Sequence, residues 1–393
     1  MNNELQYHKI SNVNTYKVRS HFPRLVGKNA FRNEHAYGDE FVVKEIITDQ
    51  GARGWGLSSG LFYHQDPETD DRMILGKSVS DVFDPDKGIV DMSLSTFDFA
   101  LHDLAGSILG IPCYKMFGNK GVGAVPVYDT LIYFDDISPD RKPGGIAKIL
   151  EECQYGYDYG YRAFKLKIGR APMWMNWTDG LKRDIDVTRA VRERFPDCEI
   201  LVDANDAYTV EKMKQYVDGV ADVGLYWIEE PFRENEQDFR ALREHLDAKS
   251  PRTLIADGET DPNMDLLIDL YKKGLLGVFQ MDIQGDYTLG HAFGLTPWRR
   301  VMPKLEEIGA RISPHAWGLK LKTHYAAQFC AGYPGVARVE GVTDTTEGVD
   351  FSGYKLKDGK MYLPEKPGFG MDFIWGMPLT GGDCESKTIC RQV

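Results

Sequence analysis

Residues 225–259 read LYWIEEPFRENEQDFRALREHLDAKSPRTLIADGE. A short apolar run ends in Glu229-Glu230-Pro231, a helical stretch follows, and a second apolar run ends in Asp257-Gly258-Glu259. Apolar runs this short, bounded by turn residues, read as buried strands. The same unit recurs on both sides. Upstream stand VPVYDTLIYF (125–134), AFKLKIG (163–169) and EILVDAN (199–205); downstream stand GVFQMDI (277–283), ARISPHAWG (310–318) and GVARVEG (335–341). Eight strands alternating with helices argue for right-handed crossovers, a parallel sheet and its closure into an α/β barrel.

The chain has 393 residues, more than one ordinary domain uses, so a second module is expected beside the barrel. It lies ahead of residue 125. YGDEFVVKEIITDQGARGWG (37–56) alternates apolar and polar positions around a glycine-containing turn, as an antiparallel hairpin does. In STFDFALHDLAGSILGIPCYKMFG (95–118), Phe97, Leu101, Leu104 and Ile108 recur at helical spacing until Gly110-Ile111-Pro112 stops the helix. His102 and Asp103 on this helix read as structural. A polar run holding Arg24, Lys28, Asn29, Arg32 and Asn33 reads as a surface loop able to close over a site.

Composition removes several classes of function. Hydrophobic residues make up 42% and charged residues 27%, as in a globular protein with ample core. A formal charge of −12 with no Lys/Arg-rich run offers no grip on a phosphate backbone, so nucleic acid is not expected as a partner. Neither a membrane span nor a signal-peptide core is visible, and a cytoplasmic enzyme is expected. The six cysteines show no CxxC pair, hence neither a zinc site nor a disulfide framework.

In a barrel the strand C-termini assemble the active site. Here they carry Lys165 and Lys167, then Asp203, Glu229, Glu259, Asp282, His315 and Glu340, one strand after another. Asp203, Glu229 and Glu259 on consecutive strands would place three negative charges together, which is costly unless a cation neutralises them. An oxygen-only set favours Mg²⁺ over zinc. Lys165 and Lys167 share one face of their strand and point inward. Mutual crowding is expected to lower the pKa of at least one, making it a competent base. Asp282 and His315 suit a second acid–base unit, the carboxylate fixing the imidazole tautomer.

The ordered set GIPCYKMFG, KLK, VDAN, IEEP, DGE, MDI, SPHAWG and VEG resembles the enolase superfamily, and within it the mandelate racemase-like acid-sugar dehydratases, over nearly the whole chain. The resemblance implies a (β/α)₇β modified TIM barrel over residues 125–355, an α+β capping domain over 1–124, and a segment 356–393 returning to that cap. It implies Mg²⁺ at Asp203, Glu229 and Glu259, with Asn205 and Glu230 in support. It further implies Lys167 as the base on one face, Lys165 beside the substrate carboxylate, His315 with Asp282 as the acid–base pair on the other face, and Glu340 stabilising the enediolate. The expected reaction removes the proton α to the carboxylate of an aldonate or aldarate and eliminates the β-hydroxyl, giving a 2-keto-3-deoxy acid. Inversion of a 2-hydroxy acid shares the first step and stays open, as does a non-catalytic metabolite-binding protein. Cycloisomerases and dipeptide epimerases are disfavoured, because they resemble a pattern with lysine where Asp282 stands.

Arg24, Lys28 and Arg32, with Arg170 after the KLKIG strand, are the expected contacts to a polyhydroxylated carboxylate substrate. The aromatic insertion APMWMNWTDG (171–180) and the polar tail beyond Trp375 have no counterpart in the pattern. The exposed aromatics of the insertion suggest a homo-oligomer contact.

Overall fold

A computed structural model describes residues 4–59, 71–118, 123–285 and 293–374. The barrel strands, following the cap elements β1 (Ile10–His21), β2 (Glu40–Thr48), β3 (Arg53–Leu57) and α1 (Asp98–Leu109), are β4 (Ala124–Ile132), β5 (Ala163–Lys167), β6 (Glu199–Asp203), β7 (Trp227–Glu229), β8 (Leu254–Asp257), β9 (Val278–Phe279) and β10 (Val339–Gly341). Successive strands from β4 to β9 pair in parallel, and β10 pairs in parallel with β4. The expected seventh run forms isolated bridges instead of a ladder: Ile312 bridges Phe279 and Val336, and His315 bridges Asp282. Pro314 has no N–H to give to a ladder there. These bridges close the ring.

Between the strands run α2 (Ile146–Tyr159), α3 (Trp177–Arg194), α4 (Val210–Val220), α5 (Glu236–Lys249), α6 (Met264–Lys272), α7 (Leu295–Glu307) and α8 (Lys320–Ala331). Helices α3 to α6 each start on a side-chain cap, the acceptors being Asn176, Thr209, Asn235 and Asn263. Each cap supplies about 1 kcal/mol and fixes where its loop ends. Helix α8 differs, because every residue from Leu321 to Ala331 is buried. It therefore shows no amphipathic stripe.

In the cap, β1, β2 and β3 form an antiparallel sheet against which α1 lies. Gly54 and Gly56 permit this: a Cβ on Gly54 would stand 2.2 Å from the Leu104 nitrogen, and one on Gly56 2.5 Å from Phe99 Cβ. The Asp103 carboxylate accepts from the backbone N–H of Trp55 and of Phe369, joining the cap to the C-terminal segment. Asp98 accepts from Thr296 on α7, and His102 bonds the Asp98 carbonyl and meets Arg299. Both His102 and Asp103 are thus satisfied core residues.

The C-terminal return starts ahead of residue 356. Thr345–Thr346 pairs with β1, and Asp372–Phe373 pairs with Val349–Asp350, placing the Phe373 ring 5.1 Å from Trp55. Between them Lys360–Tyr362 pairs antiparallel with the start of β4, at the opposite end of the barrel from the active-site residues. The tail beyond residue 374, with Cys384 and Cys390, lies outside the described residues. Among the described residues no helix is long and apolar enough to cross a membrane.

Candidate active site

Strand register brings the site together. Lys167 pairs with Asp203 and Asp203 with Glu229, so three strands present these residues in one row. Glu340 lies level with Tyr128 on the closing pair. Ligand oxygens of Asp203, Glu229 and Glu259 all fall within 4.8 Å of one another. The site also bends its backbone: Asn205 and Glu230 have φ of 44° and 39°, in the left-handed region that non-glycine residues rarely enter.

Two lysines stand against these acids. Lys165 Nζ lies 2.6 Å from Glu229, 2.9 Å from Glu340 and 3.2 Å from Asp203. Lys167 donates to Asp203 and, at 3.0 Å, to Asn205 Oδ1. Asn205 in turn gives its backbone N–H to Asp203 and its amide N–H to Glu230. Glu229 also accepts from Trp227 Nε1 and Gln280 Nε2.

Opposite Lys167 stands His315. Its Nδ1 lies 2.6 Å from Asp282, and its Nε2 lies 3.2 Å from Glu259 and 3.8 Å from Glu340. Glu340 is fixed by the Thr130 hydroxyl and the Ala316 N–H.

Charge is unevenly shared. Burial opposes ionisation of Glu340, but Lys165, His315 and the Ala316 N–H outweigh it and hold the carboxyl at about 2. Asp203, against the same burial, is held low by the two lysines. One ammonium shared among three carboxylates leaves a surplus of negative charge, and burial with that surplus pushes Glu229 up to about 8 although Lys165 opposes the rise. Glu230 is raised further by burial and then by Glu259, Asp203 and Asp206. A hard cation is what such an oxygen-only set accepts. The lysine expectation needs correcting: burial does work to lower both pKa values, but Asp203 outweighs burial and the neighbouring Lys165 at Lys167, Glu229 and Glu340 outweigh burial at Lys165, and both net shifts are upward.

Two of the expected substrate contacts are corrected as well. Arg170 is fully buried, its guanidinium spanning Asp136 at 2.6 Å and Asp184, with Phe134 stacked at 4.3 Å. Every side of the head group is engaged behind the strand, leaving nothing to offer a ligand. Arg24 bonds the Leu131 carbonyl at 2.6 Å and lies 3.3 Å from Glu152 on α2, so it fastens the loop to the outer wall of the barrel. Lys28 lies 4.9 Å over the Trp174 ring, and Trp174 Nε1 donates to the Asn29 carbonyl. The aromatic insertion thereby meets the cap loop, while Trp177 opens α3 and packs on Tyr208. Arg32 is exposed and donates its backbone N–H to the Asn29 side chain.

Residues that sequence reasoning missed complete the site. Lys322 on α8 lies 2.8 Å from Asp282. His35, on the cap loop, packs edge-on at 4.8 Å to both Tyr133 and Trp317, and Tyr133 lies 5.4 Å from Lys167 Nζ. Burial lowers the His35 pKa to about 4, so this imidazole is neutral at the barrel mouth. Thr130 carried the one available signal, as the polar residue on a strand with no ionisable group among the expected site residues.

A parallel barrel whose consecutive strand ends carry Lys-x-Lys, three clustered carboxylates, an Asp–His pair and a terminal glutamate defines a class of enzyme scaffold. The family model described as "Enolase C-terminal domain-like" matches residues 148–375, and the chain belongs to the enolase superfamily, as a mandelate racemase-like member. Galacturonate dehydratase from Geobacillus sp., solved as its E234A mutant with Mg, is 30% identical with a TM-score of 0.86, covering 95% of each chain. The same enzyme complexed with D-galacturonate and 5-keto-4-deoxy-D-galacturonate is 31% identical with a TM-score of 0.84, covering 94% of this chain and 95% of that one. D-galactarolactone cycloisomerase of Agrobacterium fabrum is 26% identical over 84% of this chain and 88% of its own length.

Proposed function

We propose that the chain is an acid-sugar dehydratase that removes the proton α to a carboxylate and expels the β-hydroxyl as water, giving a 2-keto-3-deoxy acid. One observation carries the reading. The carboxylate cluster has an amine at one end, where Lys167 meets Asp203, and an imidazole at the other, where His315 meets Glu259. A proton acceptor and a proton donor on opposite sides of an anionic, buried pocket suit abstraction on one face and departure of a hydroxyl on the other.

Asp203, Glu229 and Glu259 are the residues to hold Mg²⁺, which when bound would supply the positive charge that an α-proton needs to become acidic. In this reading Lys167 Nζ takes the proton. Its ammonium is held here by Asp203, and with Asp203 engaged by a cation the adjacent Lys165 favours the neutral amine. The Lys165 ammonium faces the negative charge that gathers on the substrate carboxylate. His315 Nε2 gives its proton to the departing hydroxyl, and the enol left behind rearranges to the ketone. Glu340, kept ionised, orders Lys165 and the Ala316 backbone.

The Geobacillus relative supports both the reaction and the substrate class, since its two bound sugars differ by one water lost beside the carboxylate. The test is incubation with MgCl₂ and a panel of aldonic, aldaric and uronic acids in D₂O, following 2-keto acid and α-deuterium together. A keto acid from wild type and neither signal from Lys167→Ala are expected. Inversion or lactone isomerisation without keto acid would refute dehydration, and full activity in Lys167→Ala would refute its role as the base.

A further inference from the structure

The first turn of α8 carries a buried lysine paired with the acid–base unit of the site. Lys322 is 6% exposed, and burying an ammonium is expensive where a leucine or methionine would fill the same space. Its Nζ donates at 2.8 Å to Asp282 Oδ2, the same oxygen that receives His315 Nδ1 at 2.6 Å. The other oxygen, Oδ1, accepts the backbone N–H of Gln284 at 2.7 Å and of Gly285 at 3.0 Å. Both faces of this carboxylate are therefore pinned, one by a loop and one by a helix. Thr323, next in sequence, donates to the Glu340 carbonyl at 2.9 Å, which ties the same helical turn to the last barrel strand.

We propose that Lys322 is a positioning residue for the hydroxyl-expelling side of the site: it fixes the Asp282 carboxylate so that His315 presents Nε2 to the pocket, and without it the α-proton is still removed while the hydroxyl is not lost. This rests on the dehydratase reading. The geometry is a chain of three groups. With Nδ1 committed to Asp282, the opposite ring nitrogen faces the pocket, where it stands 3.2 Å from Glu259. Removing Lys322 takes the helix-side donor from Oδ2 while Gln284 and Gly285 still hold Oδ1, so the carboxylate loses the tie that sets its rotation about the loop-held oxygen. Lys167, on the opposite side, bonds none of these three groups among the described residues and keeps its own partners Asp203 and Asn205.

The two halves of the reaction separate in D₂O. An enediolate formed by Lys167 that cannot lose its hydroxyl is reprotonated, so recovered substrate gains α-deuterium. For Lys322→Met, kcat for keto acid should fall roughly 10- to 100-fold, the range seen when a partner that orients a reactive imidazole is removed. KM should stay within about twofold, and exchange into recovered substrate should come to exceed elimination. Lys322→Arg, which keeps a charged donor, should recover most of the rate, and Lys322→Gln, which keeps a neutral donor, should fall between them. Unchanged elimination in Lys322→Met, or exchange and elimination falling in proportion in both Met and Gln variants, overturns the proposal while leaving the dehydratase reading standing. A wild-type chain that gives neither exchange nor keto acid overturns both.

Discussion

Replacing Arg170 with methionine separates a substrate contact from a structural ion pair. The methionine fills most of the buried volume but leaves two carboxylates, Asp136 and Asp184, facing each other without the guanidinium that joins them. Breaking a buried pair from one side costs about 3–5 kcal/mol, against about 0–1 for an exposed one. Partial compensation remains: Asp136 keeps Arg183 at 3.2 Å, and Asp184 keeps the Tyr208 hydroxyl at 2.6 Å and the Gly169 N–H at 2.9 Å. The expected loss is therefore about 4 kcal/mol, a fall in Tm of about 5 °C for a chain of this size. The sign with pH follows from Asp184, whose pKa burial already raises although Arg170 opposes it. Without Arg170 it rises further, and a carboxyl raised in the folded state weakens the fold above its unfolded pKa and ceases to do so as pH falls. The gap between wild type and variant should thus narrow from pH 8 to pH 5 in thermal melts. KM for the substrate, measured at a temperature where both are folded, should not move. An unchanged Tm with a raised KM would refute the structural assignment and restore Arg170 as a ligand contact.

Magnesium should raise the Tm of the wild-type chain by mass action, about 2.7 kcal/mol of added stability at a hundred times Kd, and Glu229→Gln should lose most of that shift; an equal shift in both would exclude Glu229 as a ligand. Glu152, pushed up to about 8 by burial although Arg24 opposes the rise, keeps its proton in the folded state where the unfolded chain has released it. Stability should therefore fall as pH rises from about 4.5 to 8, by up to a few kcal/mol, and Glu152→Gln should flatten that slope in urea titrations. A slope unaltered by the substitution would count against it.

Most of the barrel was legible because apolar runs ending in charged residues leave a period and a position in the sequence, and both survive folding. The seventh run was read correctly in place but not in kind, since Pro314 denies it a ladder and isolated bridges do the work. The metal-type cluster was legible because three acids at equivalent strand ends have one place to go. Arg170 was not, because a guanidinium reads the same whether it faces a ligand or two buried aspartates. The lysine shift was misjudged for a related reason: Lys165 is the neighbour in sequence, whereas the register puts Lys167 against Asp203. Lys322 left no trace at all, lying on a helix buried on every side, where a charged residue has no apolar stripe to interrupt.

The shared row of Lys167, Asp203 and Glu229 also constrains how such a site can diverge. A strand that gains or loses one residue turns its whole set of side chains to the opposite face. A single codon inserted ahead of Lys165 within β5 would send both lysines outward and leave the acids without them. Descent with new substrates is thus confined to substitutions within the strands and to insertions beyond their ends.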